Sequence, residues 1–388
     1  MKNTKPNGAK RRSLLAIALI AVIGFSFIAC SEDGGGGGTQ PNQPPGGGGA
    51  VSGWGSGWIE VKNNPFNKSS FYSILSIAYG NGKFVAAASC YDDNKPAGEE
   101  LYVQMGYSSD GTTWKIVENN PFSDFGVNVI AFGNGKFIAG GEINWKAKIA
   151  YSSDGGVTWS KANQINDLRG KESKNITNIV FGNGIFIAIG DNPEGDHTAY
   201  SSSDGANWTA ISKFPLSFIH NIVFGNGKFI VMGSSNGYRR NLAISSDGVT
   251  WTGAERGGTA FLFDFTSKIK IAYGNGRFVA VDSNGGLAYS TDGITWTDLF
   301  LLDGTTSAEI YGPFIGLGYD LYSAIAFGNG RFVASHKGAV AYSSDGITWS
   351  ALETRTKDNV LLGTNTIAYS DDGRFFSGGG IMAYWKSK

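Results

Sequence analysis

The chain has 388 residues and is unusually rich in glycine, with 58, and in aromatics, with 10 Trp, 16 Tyr and 25 Phe. That mixture suits many short strands joined by tight turns. Its 32 Lys+Arg balance 32 Asp+Glu, and such sparse, balanced charge leaves no electrostatic footprint for nucleic acid.

The chain opens with a targeting pattern. Lys2, Lys5, Lys10, Arg11 and Arg12 make a positive stretch, and Ser13 to Phe27 is an apolar run too short to cross a bilayer comfortably. The run ends in Phe27-Ile28-Ala29-Cys30, which resembles the lipobox of bacterial lipoproteins, although Phe27 stands where Leu is usual. The resemblance implies a signal peptide over 1–29, cleavage before Cys30 and a lipid on its sulfur. An uncleaved signal anchor is the alternative. Residues 30–53, dominated by Gly, Pro, Ser and Gln after Cys30, cannot bury apolar surface and read as a tether. Losing residues 1–29 removes five basic and no acidic residues, so 27 Lys+Arg then face 32 Asp+Glu, a net charge of −5. A weakly acidic domain gains nothing electrostatically from an anionic bilayer, so membrane attachment is expected to rest on the lipid. Ser31 lacks the acidic character linked with inner-membrane retention, which points to a cell envelope location at the outer membrane or cell surface. With Cys30 lipidated, Cys90 has no partner, and neither a disulfide framework nor a cysteine metal site is expected.

From Ile74 the sequence repeats every 42 to 54 residues, the spacing of propeller blades. Each unit pairs an apolar run ending in Asn-Gly, as at Asn81, Asn134, Asn183, Asn226, Asn275 and Asn329, with a second run ending in Asp-Gly and a Trp. Both dipeptides are strong hairpin signals, with positive φ expected at both central residues. Each unit is therefore predicted as strands a and b joined at Asn-Gly and strands c and d joined at Asp-Gly. Strands a and b are almost wholly apolar, as expected of strands buried on both faces between stacked blades. Residues 54–388 are thus predicted to form an all-β, seven-bladed β-propeller with four antiparallel strands per blade. The last blade contains strands a to c but no strand d. Trp58-Ile59-Glu60-Val61-Lys62-Asn63-Asn64-Pro65-Phe66 mirrors Trp114 to Phe122, the strand d and exit of blade 1, so an N-terminal strand is expected to close the ring.

The second hairpin resembles the Asp-box (BNR) repeat of sialidase-like propellers. Ser152, Asp154, Gly156, Thr158 and Trp159 match it in full, and the other five copies are one residue shorter in the turn. The resemblance implies a structural role for Asp110, Asp154, Asp204, Asp247, Asp292 and Asp345. One carboxylate per blade cannot converge on a single ion, so no metal is implied, nor any cofactor.

Length varies only in the b–c loops and d–a crossovers, which lie on the face opposite the tight turns. Loops that differ on a repeating scaffold are where binding residues are expected. Ser89–Gln104, Ser160–Thr177, Gly253–Lys268 and Asp298–Tyr322 are read as the long ones. Trp145, Tyr238, Arg239 and Arg240 are the foremost ligand-binding candidates, with Glu142, Asp191 and Arg256 beside them, because aromatics next to charged groups can grip a polar ligand with an apolar side. His197 and His336 are also read as loop residues. A sialidase-like or other glycoside hydrolase is the enzyme alternative. Against it, no arginine lies between Arg12 and Arg169, and Arg277, Arg331 and Arg374 follow the a–b turn on the wrong face. The expected function is therefore a membrane-tethered, non-catalytic binding module for a glycan or protein partner, acting as a monomer. A periplasmic envelope assembly scaffold is the other alternative.

Overall fold

The computed structural model describes residues 58–386 apart from 69–70, 92–93, 95–100, 123–125, 144–145, 164, 166–173, 192–196, 213, 236–238, 256, 259–268, 283–285, 300–322, 337–338 and 353–363. Strands fall into seven sheets, one per blade. Blade 1 sets the pattern with strands a to d at Phe71–Gly80, Lys83–Tyr91, Leu101–Ser108 and Trp114–Ile116, all antiparallel. Blades 2 to 6 repeat it, opening at Val127, Asn175, Phe218, Ile269 and Ser323. Strand a of every blade contacts strand a of both neighbours, including Thr364–Ser370 of blade 7 against blade 1. Seven a strands thus form a closed inner ring.

The apolar pattern of strands a and b has the expected consequence. Seven core clusters form, one at each blade–blade interface. Phe84 and Ala86 of blade 1, for example, pack with Ala368 and Phe376 of blade 7. Cys90 is buried in the same layer and is not in a disulfide.

Ring closure follows the sequence mirror. Ile59–Glu60 pairs antiparallel with Met382–Lys386, Ile59 opposite Tyr384 and Glu60 opposite Ala383. The Val61 amide donates to the Met382 carbonyl at 2.8 Å, and the Trp58 and Trp385 rings pack with centroids 6.4 Å apart. The mirrored exits fold alike. Asn64 Oδ1 accepts the Phe66 amide at 3.1 Å, and Asn120 Oδ1 accepts the Phe122 amide at 3.0 Å.

Three expectations are corrected. The six Asn-Gly turns hold Asn at φ 46–50° and Gly at 69–76°, as predicted. In the Asp-Gly turn of blade 1, however, only Gly111 is positive, at 71°, and residues 109–113 separate strands c and d. This wider loop avoids the two-residue geometry because side chains satisfy its amides. Several predicted loop residues prove to be strand residues. Strand b of blade 1 runs to Tyr91 and strand c starts at Leu101, Glu142 and His336 lie within strands b, and Asp298 ends a strand d. Pairing extends past the buried apolar run because the ladder hydrogen bonds continue whatever the side-chain polarity. Blade 5 also gains a fifth, two-residue strand, Gly257–Gly258, parallel to its strand d at Thr295–Asp298.

Candidate functional site

The ring has two ends, and the tight-turn end is chemically repetitive. In all six Ser-x-Asp turns that join strands c and d the Ser hydroxyl accepts the Gly amide at 2.7–2.9 Å. That hydroxyl donates to the Asp carboxylate, as from Ser245 to Asp247 at 2.9 Å. The carboxylate in turn accepts two backbone amides, those of Val249 and Thr250 at 2.8 and 2.7 Å in the case of Asp247. The equivalent pairs are made by Asp110, Asp154, Asp204, Asp292 and Asp345. In five of the turns the Trp indole N–H closes the loop on the Gly carbonyl at 2.8–3.1 Å.

These bonds set the electrostatics. Amide donation from Thr250 and Val249 holds the Asp247 carboxyl well below the ordinary carboxylate range, and that from Asn207 does the same for Asp204. For Asp110, Asp154, Asp292 and Asp345, desolvation pushes upward as the largest single influence. The combined amide and hydroxyl bonds outweigh it, and those carboxyls are lowered too.

The turns are also locked to one another. Lys136 Nζ donates to the Asp204 carbonyl of the next blade at 2.8 Å, Lys228 Nζ to that of Asp292 at 2.9 Å and Arg277 Nη1 to that of Asp345 at 3.1 Å. Asn183 and Asn275 reach the Ser246 and Ser344 carbonyls at 2.8 Å. Arg374 pairs with Asp372 within its own turn at 2.6 Å.

Of the residues singled out from the sequence, Trp145, Tyr238, Arg256 and Cys30 lie outside the described residues. Arg239 and Arg240 open strand c of blade 4, opposite Ser235 and Ser234, and Asp191 ends strand b of blade 3, opposite His197; their side chains lie outside what is described. Glu142 is a buried strand residue whose amide donates to the Gly126 carbonyl at 3.0 Å. The structure therefore does not gather these candidates into one described cluster. His197 accepts the Ile219 amide on Nδ1 and meets the Phe218 ring edge-on with centroids 6.3 Å apart.

Comparing blades row by row reveals a residue that sequence reasoning missed, Asp282, and shows that His336 shares its row. In five blades the register shifts near the start of strand a, and the facing position late in strand b is Ala88, Gly141, Gly190, Gly233 or Gly379. Gly141 shows why. A Cβ there would sit 1.8 Å from the Gly126 carbonyl oxygen, because the bulged strand brings its backbone across. Strand pairing in blades 5 and 6 is regular over the described rungs, and the equivalent position holds Asp282 and His336. They are 0% and 1% exposed. Asp282 Oδ1 accepts the Gly286 amide at 2.7 Å. Lys270 and Asp298, also in blade 5, are buried as well. A sequence signal existed: each a–b turn numbers the residues that follow it, and that count aligns Asp282 with the small residues of other blades. Among the described residues no group of three or more His, Cys, Asp or Glu is placed to hold a metal.

No protein-family model and no curated protein matches the chain. Solved structures do resemble it. YCF48 from Cyanidioschyzon merolae is 15% identical with a TM-score of 0.54, over 85% of this chain and 99% of that one. PorZ of Porphyromonas gingivalis, described as an essential bacterial surface component of the type-IX secretion system, is 14% identical with a TM-score of 0.55; the match spans 81% of this chain but only 46% of PorZ. A Trypanosoma rangeli sialidase is 13% identical over 73% of this chain and 55% of its own, with a TM-score of 0.43. At such identities the likeness speaks to fold alone, and the sialidase score carries no argument.

Proposed function

We propose that the chain is a lipid-anchored, extracytoplasmic binding module of the Asp-box kind, whose loop face holds a glycan or a protein partner without transforming it. The observation that carries this reading is the contrast between the two ends of the ring. At the tight-turn end, each Ser-x-Asp turn directs its polar side chains into its own loop, and neighbouring blades repeat the arrangement. At the other end the connections differ in length and the buried polar residues differ from blade to blade. A surface where a repeating scaffold stops repeating is where recognition is expected.

The lipobox-like Phe27-Ile28-Ala29-Cys30 and the Gly/Pro-rich segment after it support a tether from membrane to propeller. A location on the outer membrane or cell surface agrees with Ser31 after Cys30. PorZ, as a bacterial surface component, makes a scaffold role in the envelope the second reading. The test is to screen the full chain, solubilised in detergent, against glycan and extracellular-matrix protein arrays, with fluorogenic glycosides assayed alongside. Saturable capture without glycoside turnover is expected; turnover would replace this reading with the hydrolase alternative.

A further inference from the structure

We propose that the tight-turn end of blade 7 is the membrane-proximal point of the molecule, so that the loop face is presented away from the bilayer that anchors the chain. The proposal rests on the lipid-anchor reading above, and deepens it by assigning which face the anchor leaves open to a partner.

Strand direction sets where the chain enters the ring. In blades 1 to 6 a Ser-x-Asp turn joins strand c to strand d at the tight-turn end, as residues 109–113 do between Leu101–Ser108 and Trp114–Ile116. Blade 7 has no such turn, because its strands c and d come from opposite ends of the chain, Met382–Lys386 and Ile59–Glu60. Lys386 faces Arg374, the first residue of strand b after the a–b turn. Ile59 faces Tyr384, so the same register brings Trp58 beside Trp385, one row from Lys386. Strand d then runs toward the loop end, where Val61 bonds Met382. The chain therefore enters the ring at the tight-turn end, in the place where the other blades carry their turns.

The entry point is held firmly. Trp58 is 1% exposed, and its ring packs against that of Trp385. Trp58 belongs to the core layer between blades 6 and 7, and Val61 and Phe66 to the layer between blades 7 and 1. Whatever precedes Trp58 is thus attached at one rim of the tight-turn face.

Covalent reach then favours one orientation. Residues 31–57 place twenty-seven residues between Cys30 and Trp58, with a reach of about 90 Å at most. Turning the loop face toward the bilayer draws that chain along the height of the ring, about 33 Å for the ten residues of Phe71–Gly80. With the tight-turn end toward the bilayer no such length is taken up, and far more chain arrangements satisfy the attachment. Deleting residues 33–50 would leave 31, 32 and 51–57, nine residues, whose reach of about 30 Å no longer permits the inverted orientation. A partner for the loop face is therefore one that arrives from the aqueous side, and not a component of the anchoring bilayer.

The test uses the full lipidated chain, purified in detergent and reconstituted into phosphatidylcholine vesicles that contain a lipid with a nickel-chelating headgroup, a short-range quencher of fluorescein. Lys386→Cys and Gly380→Cys place the dye at opposite ends of strand c in blade 7, about 20 Å apart for six residues. Both positions are exposed, whereas Cys90 is buried, and a Cβ at Gly380 meets nothing within 4 Å. Should either variant fail to fold, Asp371→Cys in the a–b turn of blade 7 replaces the first and Tyr91→Cys the second, both at exposed positions. Quenching is expected to be roughly twofold or more stronger at residue 386 than at 380, and deleting residues 33–50 should widen the difference. Equal quenching, or stronger quenching at 380, overturns the proposal. Mass spectrometry of the mature N-terminus tells its failure from that of the anchor reading. A chain without lipid on Cys30 sinks both, whereas a lipidated chain quenched more strongly at 380 sinks this inference and leaves the anchor standing.

Discussion

On the tight-turn end, Ser245, Asp247 and Trp251 are hydrogen-bonded within their own turn, and Lys228 is bonded to the next blade. The same arrangement recurs with near-identical distances in successive blades. At the loop end the same row of strand b is not uniform: it holds glycine in blades 2, 3, 4 and 7 and Ala88 in blade 1, but Asp282 in blade 5 and His336 in blade 6. The difference teaches that the repeat encodes a ring, and that departures from the repeat at one end are where individuality is stored. A change at the turns should therefore be read in stability, and a change to an exposed side chain in the loops at the other end in binding; a backbone constraint there, as at Gly141, is again read in stability.

The largest expected effect is at the turn-end core. Trp296 is fully buried between blades 4 and 5. Trp296→Ala should cost about 3–5 kcal/mol by leaving a cavity, measured by denaturant unfolding, while the folded fraction binds normally. A loss of affinity at unchanged stability would break the comparison.

Gly141→Ala tests the opposite end for a backbone constraint. Its Cβ would overlap the Gly126 carbonyl, so the bulged strand must shift, at about 1–3 kcal/mol. The equivalent change at His336, where pairing is regular, removes a side chain without creating that clash. His336→Ala should leave the strand register intact in hydrogen exchange, whereas Gly141→Ala should loosen the start of strand a in blade 2.

Asp247→Ala removes the acceptor for two exposed amides that water can partly satisfy, so about 1 kcal/mol is expected. The pH dependence sharpens this. Because the folded carboxyl is held below its ordinary value, its contribution is fully present above the unfolded carboxylate pKa of about 3.9 and is lost as pH falls below it. Melting temperatures of the parent and Asp247→Ala should therefore converge as pH drops below about 4. A constant gap down to strong acid would show that the carboxylate bonds are not its source.

Much of this was legible in the sequence, for a physical reason. Asn-Gly demands positive φ and so marks its turns unmistakably, and the mirrored Trp58–Phe66 and Trp114–Phe122 segments revealed ring closure because both make the same contacts. Asp-Gly misled, because its turn is held by side-chain bonds from Ser108 and Asp110 and not by backbone handedness. Glu142 and His336 misled in another way: their polarity suggested loops, but strand pairing does not depend on it. Asp282 escaped notice since its significance lies in register, and register depends on where each strand a is bulged.

The most direct test of the contrast between ends is to block each one. Thr250→Cys places a thiol on an exposed tight turn, and Tyr91→Cys places one at the loop end of strand b in blade 1, where Tyr91 is exposed. Each variant of the full chain, coupled to a bulky maleimide polyethylene glycol, is then applied to the glycan and matrix-protein arrays. Capture should persist with the polymer at residue 250 and be lost with it at residue 91. Capture lost at 250 and kept at 91 would contradict the account and move recognition to the tight-turn face.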